Sequence, residues 1–312
     1  MGARSTFIHE ALLYGDVSEF LAGTVEFVRA GMRAGEAVLV ALPEPRLGLL
    51  REQVGDEGDV RYLDMGQIGG NPGRIIPTVL HPFLAEQETR GARVLGEPIW
   101  PGRPASEYSA AVQHEALINL AFAGHHVTIR CPYDTTQLAK LVKNDAERTH
   151  PVMFHGKSGR PSTAYDDPAR VAVTATANLP PAPANLVERD FGVGELGAVR
   201  RFVREQAKNA GLPQTRIDDL LIAVNEIAGN TLAYAGGFGI LRTWQADGSL
   251  VCEIRDHGTM TDLLAGRQIP GADALGGRGL LMANQLSDLV QLHPGPAGTT
   301  VRLHFHLPTK RS

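Results

Sequence analysis

Three polar side chains recur at four-residue intervals in the segment AVNEIAGNTLAYAGG, residues 223–237: Glu226, Asn230 and Tyr234. On a helix, residues four apart lie on one face, so the acid, the amide and the phenol would form a row. A carboxylate and an amide oxygen at this spacing are ligands that a hard cation such as Mg²⁺ accepts. The alternative is an ordinary solvated face, although Asn is a poor residue for the middle of a helix.

Two later motifs carry chemistry that would fit such a row. In RDHG, Asp256 ends an apolar run and Gly258 follows, which suits a carboxylate beside a flat ligand or, alternatively, a simple tight turn. In GGRGL, residues 276–280, glycines lead into a helical pattern and would offer free amide donors and a positive dipole end to phosphates. Arg278 would supply a counter-charge, and Thr299 in GPAGTT would bring a hydroxyl close to the same carboxylate.

In this order, the motifs closely resemble the GHKL ATPase fold shared by gyrase, mismatch-repair ATPases and sensor histidine kinases. NEIAGN and RDHG look most like the anti-sigma-factor serine kinases of bacteria, and the resemblance covers residues 190–308. It implies ATP and Mg²⁺ as cofactors, Asn230 as the magnesium ligand, and Glu226 as the catalytic base that accepts or orients a serine proton. Asp256 would bind the adenine amino group, with Thr299 nearby.

The same resemblance implies which residues enclose the nucleotide, and it predicts a lid over residues 259–275. The enclosing residues would be Gly258, Gly277, Arg278, Gly279 and Leu280. One departure is Tyr234, which stands where many relatives have a histidine, and a phenol carries no positive charge near neutral pH. Because no helical hairpin with a phosphoacceptor histidine precedes these motifs, an autophosphorylating histidine kinase is disfavoured.

The elements that would position these residues follow from hydrophobic periodicity. Helical patterns at residues 196–210 and 213–234 precede strand-like runs at 239–245, 249–256, 288–293 and 300–307. This order predicts a two-layer α/β sandwich of the Bergerat type with a mixed or antiparallel sheet.

A proline-rich segment, NLPPAPANLVERDFGV, separates this region from the rest of the chain. We predict a first domain at residues 1–177, a linker at 178–190 and a second domain at 191–312. Before the linker, apolar runs at 37–43, 60–65, 93–100 and 127–134 alternate with helical patterns at 19–33, 77–89, 107–122 and 135–148. Such alternation indicates a three-layer α/β/α domain with a mainly parallel sheet.

Several motifs of the first domain resemble the MEDS sensory family across residues 6–155: HEALLY, GEPIWPGR, HEALINLAF and CPYDTTQL. The resemblance implies a domain that senses a small molecule. Glu97, Trp100 and Asp134 lie at or beyond strand ends, where open parallel sheets bind ligands, so we predict a sensor pocket there. His9, His114 and Cys131 are added to this set, either as metal ligands or as satisfied interior side chains.

Other classes of function fit less well. HEALL and HEALI lack the second histidine of a zinc-protease helix, and HGKSG lacks the glycine and leading strand of a P-loop. No basic helix-turn-helix segment is recognisable, and the net charge of -4 gives no general attraction for nucleic acid. No apolar run is long enough for a membrane span, and a cytoplasmic location with two reduced cysteines is expected.

The sequence therefore predicts a signalling regulator in which a sensory domain controls a serine/threonine protein kinase that uses ATP and Mg²⁺. Its predicted partners are a sigma factor, an antagonist of an anti-sigma factor, or both; a second copy of the chain is a further candidate. The alternative is a non-catalytic adaptor in which ATP only orders the lid and so controls protein binding.

Overall fold

A computed structural model describes residues 6–55, 58–87, 90–156, 158–269 and 277–308. The chain divides into two compact units, one of residues 1–70 and 78–172 and one of residues 71–77 and 173–312. The second unit thus takes in a short segment, 71–77, from within the region predicted as the first domain. Among the helices in the described ranges, none is both long and apolar enough to cross a membrane.

The first unit is built on a sheet that has seven strands among the described residues, in the order β3-β2-β4-β5-β1-β6-β7. All neighbouring strands are parallel except β6 and β7. The strands are β1 (Phe7–Tyr14), β2 (Ala37–Leu42), β3 (Val60–Asp64), β4 (Ala92–Gly96), β5 (Val127–Asp134), β6 (Val152–His155) and β7 (Ser158–Pro161).

Helices connect these strands, and a π-helical turn at Ile76–Leu80 interrupts them. Up to residue 174 the helices are α1 (Val17–Arg33), α2 (Arg46–Val54), α3 (Met65–Ile68), α4 (Pro72–Ile75), α5 (His81–Ala85), α6 (Ala105–Ala121), α7 (Lys140–Thr149) and α8 (Pro168–Thr174). Helix α7 begins at Lys140, whereas the sequence pattern predicted that this helix begins at residue 135. The Asp134 carboxylate accepts the amides of Thr136 and Gln137 and closes a separate turn there.

Strand β2 shows why this sheet is covered on both sides. Val38, Val40 and Leu42 belong to a hydrophobic cluster with residues of α1 and α2. Leu39 and Ala41 point to the opposite face and are equally buried. A strand that is apolar on both faces requires helices on both faces, so the three-layer α/β/α domain with a mainly parallel sheet is confirmed.

Strand β1 was not predicted, although it lies inside the sheet between β5 and β6. Its sequence, FIHEALLY, places His9 and Glu10 in the interior of the strand. The Glu10 carboxylate accepts a hydrogen bond from Arg130 Nε of β5 at 2.6 Å, and both residues are buried. Pairing across the two strands therefore allows the charged residues inside the domain.

The second unit has an antiparallel sheet in the order β11-β12-β10-β9-β8 and three long helices within the described ranges. The strands are β8 (Val187–Gly192), β9 (Phe238–Ala246), β10 (Ser249–Arg255), β11 (Leu289–Gly295) and β12 (Gly298–His306), and the helices are α9 (Leu196–Asn209), α10 (Gln214–Tyr234) and α11 (Arg278–Leu286).

One hydrophobic core joins the helices to a single face of this sheet. It contains Val203 of α9, Val224 of α10 and Ala283 of α11 together with Cys252 and Leu303 of the sheet. The predicted two-layer α/β sandwich is thus confirmed, with antiparallel pairing throughout its described strands. Residues 187–192 pair with 238–243 as strand β8, so the first strand of this sheet begins within the segment predicted as a linker.

Candidate functional site

Helix α10 buries one face and leaves the predicted polar row on a neighbouring face. Val224 and Ile227 belong to the hydrophobic core. Glu226 is half-buried, Asn230 is exposed, and Tyr234 is 80% exposed. Packing of the apolar face therefore determines the direction in which the acid and the amide point.

Asp256 follows the end of β10, and its carboxylate is held from two sides. Thr231 Oγ1 of α10 donates a hydrogen bond to Oδ2 at 2.7 Å. The amide of Gly258 donates to Oδ1 at 2.9 Å. A carboxylate oxygen has two lone-pair directions, so each oxygen can accept one further hydrogen bond from a ligand. Thr231 was not predicted as a site residue.

The start of β12 is joined to Asp256 by two backbone hydrogen bonds. The Asp256 amide donates to the Thr299 carbonyl at 3.0 Å, and the Thr299 amide donates to the Asp256 carbonyl at 3.1 Å. Gly298 has φ of 131°, and a Cβ there would lie 1.8 Å from the Asp256 carbonyl oxygen. The Thr299 hydroxyl donates to the Gly258 carbonyl at 3.0 Å, so it braces the turn after β10.

Helix α11 begins at Arg278, and Gly277 precedes it in a left-handed conformation with φ of 86°. No side chain caps the first turn of this helix within the described residues. The backbone at Gly279 lies close to α10, since a Cβ there would be 2.7 Å from Glu226 Oε2 and 3.5 Å from Asn230 Nδ2. The positive end of α11 thus lies beside the predicted acid and amide.

These elements surround a cavity of about 410 Å³. It brings together seven of the predicted residues: Asn230, Asp256, Gly258, Gly277, Gly279, Leu280 and Thr299. Tyr234 also lines it, whereas Glu226 lies beside Gly279 at its edge and Arg278 is exposed. Of the predicted lid, Thr259, Met260, Asp262 and Ala265 line the cavity, while residues 270–275 and Gly276 lie outside the described residues.

The lining combines chemically different groups. Ile227, Met260 and Val301 are apolar, and with the Asp256 carboxylate they suit a flat ring that carries a hydrogen-bond donor. The N-terminus of α11 suits an anion, and the oxygen atoms of Asn230 and the neighbouring Glu226 suit a hard cation. The donor set therefore fits Mg²⁺ held by Asn230 together with an anionic ligand.

The first unit has a cavity of about 420 Å³, and two residues predicted for a sensor pocket, Trp100 and Asp134, line it. Arg46, which was not predicted, also lines this cavity and links it to a third predicted residue, Glu97. Its guanidinium donates to Asp134 Oδ2 and to Glu97 Oε1, each at 3.0 Å. Tyr14, Glu97 and Asp134 come from the carboxyl ends of β1, β4 and β5, as expected for a crevice at the edge of a parallel sheet.

The two carboxyl groups around Arg46 differ in acidity. Burial, reinforced by the nearby Asp134 charge, raises the pKa of Glu97 to about 8 even though Arg46 opposes the shift. Burial also acts to raise the pKa of Asp134, but hydrogen bonds from Thr136 and Gln137 hold it below its ordinary value. Of the two carboxyl groups around Arg46, Glu97 is therefore the one that is protonated more readily.

The remaining predicted sensor residues do not line this cavity. His9 and Cys131 lie in the interior with Glu115 and His150, two residues that were not predicted. Burial, reinforced by His150, lowers the pKa of His9 to about 4, so its imidazole is neutral. His114 is buried and lies outside both this group and the lining of the cavity.

Comparisons with known proteins identify both halves of the chain. Residues 8–151 match the family model of MEDS, the methanogen/methylotroph DcmR sensory domain, and residues 192–305 match the model of the histidine kinase-like ATPase domain. A comparison with curated proteins found no match.

Among solved structures, the chain is similar to the RsbU and RsbW domains of Rv1364c from Mycobacterium tuberculosis, with 20% sequence identity and a TM-score of 0.30. That match covers 42% of this chain and 35% of the other chain. The family matches confirm the predicted resemblance of the first domain to MEDS and of the second to the histidine kinase-like ATPases, so the chain contains an N-terminal MEDS domain followed by a histidine kinase-like ATPase domain.

Proposed function

We propose that the second domain binds ATP with Mg²⁺ and phosphorylates a serine or threonine of a partner protein, namely an antagonist of an anti-sigma factor. The same domain binds a sigma factor, and the first domain senses a small molecule that controls this activity. One observation carries the proposal: the Glu226 carboxylate lies against Gly279 at the N-terminus of α11, and Gly279 and Asp256 line the same cavity. The choice of partners rests on the resemblance of NEIAGN and RDHG to the anti-sigma-factor serine kinases.

Asp256 is the group that recognises adenine in this proposal. Its carboxylate accepts the amino group of the base, and Thr231 and the Gly258 amide keep it oriented for that bond. The base lies between the apolar side chains of the same cavity, such as Ile227 and Met260. A fixed acceptor selects adenine over guanine because guanine has a carbonyl at the corresponding position.

The phosphates lie at the N-terminus of α11, where the first-turn amides and the helix dipole favour negative charge. Gly277 and Gly279 allow the close approach of phosphate oxygens to the backbone, and Arg278 adds positive charge at this end. Asn230 is the protein ligand for Mg²⁺, which supplies charge neutralisation on the phosphate oxygens when bound.

Glu226 acts on the incoming hydroxyl group. The serine oxygen attacks the γ-phosphorus, the bond from that phosphorus to the β,γ-bridging oxygen breaks, and ADP leaves with its electron pair. The serine proton passes to the Glu226 carboxylate. The half-buried position of Glu226 beside Gly279 is consistent with this role, because the catalytic carboxylate would then be adjacent to the phosphates of ATP.

Three variants of the full chain separate nucleotide binding from phosphoryl transfer. D256N removes the negative charge of the acceptor and replaces one of its two oxygens with an amide donor. E226Q removes the catalytic base with almost no change in shape. E205Q alters an exposed glutamate of α9 and is the matched control. Calorimetry measures affinity for ATP with Mg²⁺, and radiolabel transfer to proteins captured with the tagged chain measures activity.

We expect D256N to weaken ATP binding by at least about tenfold, which corresponds to one lost hydrogen bond to a charged group. We expect E226Q to bind ATP nearly as tightly as the parent chain and to transfer phosphate at least about 100-fold more slowly. Tight ATP binding with no transfer by the parent chain to any captured partner would support the adaptor instead. Transfer that E226Q leaves unchanged would contradict the role given to Glu226.

A further inference from the structure

Four side chains converge in the interior of the first domain. His9 comes from β1, Glu115 from α6, Cys131 from β5 and His150 from the residue that follows α7. None of them is more than 1% exposed. Their potential ligand atoms all lie within 4.8 Å of one another.

Four of the six distances between these atoms are close to the edges of a metal coordination tetrahedron, and the other two are within 4.8 Å. Glu115 Oε2 lies 3.2 Å from His9 Nε2, 3.4 Å from His150 Nε2 and 3.5 Å from Cys131 Sγ. The distance from Cys131 Sγ to His9 Nε2 is 3.6 Å. For ordinary zinc bond lengths, a tetrahedral site requires about 3.4 Å between nitrogen and oxygen ligands and about 3.6 Å where sulfur is one of them.

The hydrogen bonds around the two histidines direct a lone pair of each ring toward the centre. His150 Nδ1 lies 2.9 Å from the Ala146 carbonyl, which can only accept, so this nitrogen carries the proton. His9 Nδ1 lies 3.2 Å from Asn119 Oδ1. Asn119 Nδ2 donates to backbone carbonyls, so its Oδ1 is the acceptor and His9 Nδ1 is the donor. Because Nδ1 is the donor in each ring, Nε2 is the ring atom left to bind a metal at the centre.

At the centre a single donor, the Cys131 thiol, which donates to Glu115 Oε2 at 3.5 Å, faces three acceptor atoms, namely Glu115 Oε2 and the Nε2 atoms of His9 and His150. The Glu115 carboxylate only accepts when ionised, and it already receives a hydrogen bond from the Tyr133 hydroxyl on Oε1 at 3.1 Å. Among the described residues, His150 Nε2 has no hydrogen-bond partner despite its burial. Buried acceptors that face one another are costly, and a shared cation relieves the cost for all of them.

We infer that His9, Glu115, Cys131 and His150 form a structural site for a divalent metal of the zinc class in the first domain. Two imidazoles, a carboxylate and a thiolate suit a borderline cation, and with both anionic ligands the bound site is electrically neutral. Binding releases the thiol proton of Cys131 to solvent. The surrounding contacts from Asn119, Tyr133 and Ala146 orient the ligands, as second-shell groups do in metal sites.

Four protein ligands leave no open position, so the metal stabilises the domain and does not activate water. The ligands come from two strands, one helix and the residue after another helix, so metal binding joins elements that are far apart in sequence. The metal site shares no residue with the nucleotide site proposed for the second domain. Absence of the metal would therefore not contradict the proposal for ATP.

The test uses the full chain produced in zinc-supplemented medium. Elemental analysis should find about one zinc per chain, and replacement by Co²⁺ should give the visible spectrum of a tetrahedral site with a thiolate charge-transfer band. C131S should lose that band. C252S is the matched control, because Cys252 is equally buried but lies on β10 of the second unit, and it should keep both metal and spectrum.

A graded variant keeps the inference testable if C131S fails to fold. N119A leaves every ligand in place and should weaken Co²⁺ binding by about 10- to 100-fold. Metal removal by a chelator should also lower the melting temperature of the parent chain. A parent chain that contains no stoichiometric metal and gives no tetrahedral Co²⁺ spectrum would overturn the inference, as would a charge-transfer band that persists in C131S.

Discussion

The hydrogen bond from Thr231 to Asp256 provides a sharp test of how the adenine end of the cavity is built. The change T231V keeps the shape of the side chain but removes the hydroxyl that lies 2.7 Å from Asp256 Oδ2. Hydrogen bonds to charged groups contribute about 1.5–3 kcal/mol. Asp256 is half-buried, so water replaces part of the lost bond, and we expect the free energy of unfolding to fall by about 1.5 kcal/mol.

The loss should appear in nucleotide binding as well as in stability. Without the hydroxyl, the carboxylate keeps the Gly258 amide as its fixed donor but loses its link to α10. A comparable penalty of about 1.4 kcal/mol would weaken ATP binding about tenfold. Urea unfolding gives the stability change, and calorimetry with ATP and Mg²⁺ gives the affinity.

T243V is the matched control for this prediction. Thr243 is 2% exposed, and its hydroxyl has no hydrogen-bond partner among the described residues. Removing a buried hydroxyl without a partner should leave stability unchanged or raise it, and ATP affinity should not change. If T231V binds ATP as tightly as T243V, the assignment of Asp256 as a pre-oriented acceptor is wrong.

Three further predictions concern other parts of the chain. G298A should destabilise the second unit by more than about 3 kcal/mol in urea unfolding, because its Cβ would meet the Asp256 carbonyl at 1.8 Å; an effect below about 1 kcal/mol would contradict this packing. Glu97 has a folded-state pKa raised from 4.5 to about 8, so its contribution favours folding at low pH and is lost as pH rises through this window. E97Q should remove a fall in the free energy of unfolding of at most about 1.4 kcal/mol per pH unit between pH 4.5 and about pH 8. Parallel curves of unfolding free energy against pH for E97Q and the parent chain would refute the raised pKa of Glu97. E10A should lower the free energy of unfolding by about 3–5 kcal/mol, because Arg130 would remain buried without its carboxylate partner. A smaller loss in urea unfolding would show that water reaches Arg130.

The second unit could be predicted closely because its elements follow simple periodicities. Val301, Leu303 and Phe305 alternate with polar residues on β12, and α10 has an apolar stripe, so both elements were located to within a few residues. Thr231 was missed because it lies within that apolar stripe. Its hydroxyl acquires a role only when β10 brings Asp256 beside the helix, and local sequence carries no signal of that approach.

The first unit was harder to predict because its interior contains polar residues. Strand β1 contains His9 and Glu10, which a strand pattern does not allow, and their partners on β5 are more than a hundred residues away. His114 was predicted as a possible metal ligand, but the adjacent Glu115 is the residue that lies with His9, Cys131 and His150. Nearly every side chain in the middle of α6 is buried, so hydrophobic periodicity could not distinguish these two neighbours. Arg46 was missed because long-range ion pairs with Glu97 and Asp134 leave no local pattern.

Calorimetric titration of the intact, folded chain with ATP in the presence of Mg²⁺ shows whether this cavity is a nucleotide site. We predict saturable binding at one site in the parent chain and binding at least about tenfold weaker in D256N under the same conditions. The assignment of this cavity to ATP would be contradicted if the parent chain showed no saturable binding. It would also be contradicted if D256N bound ATP as tightly as the parent chain.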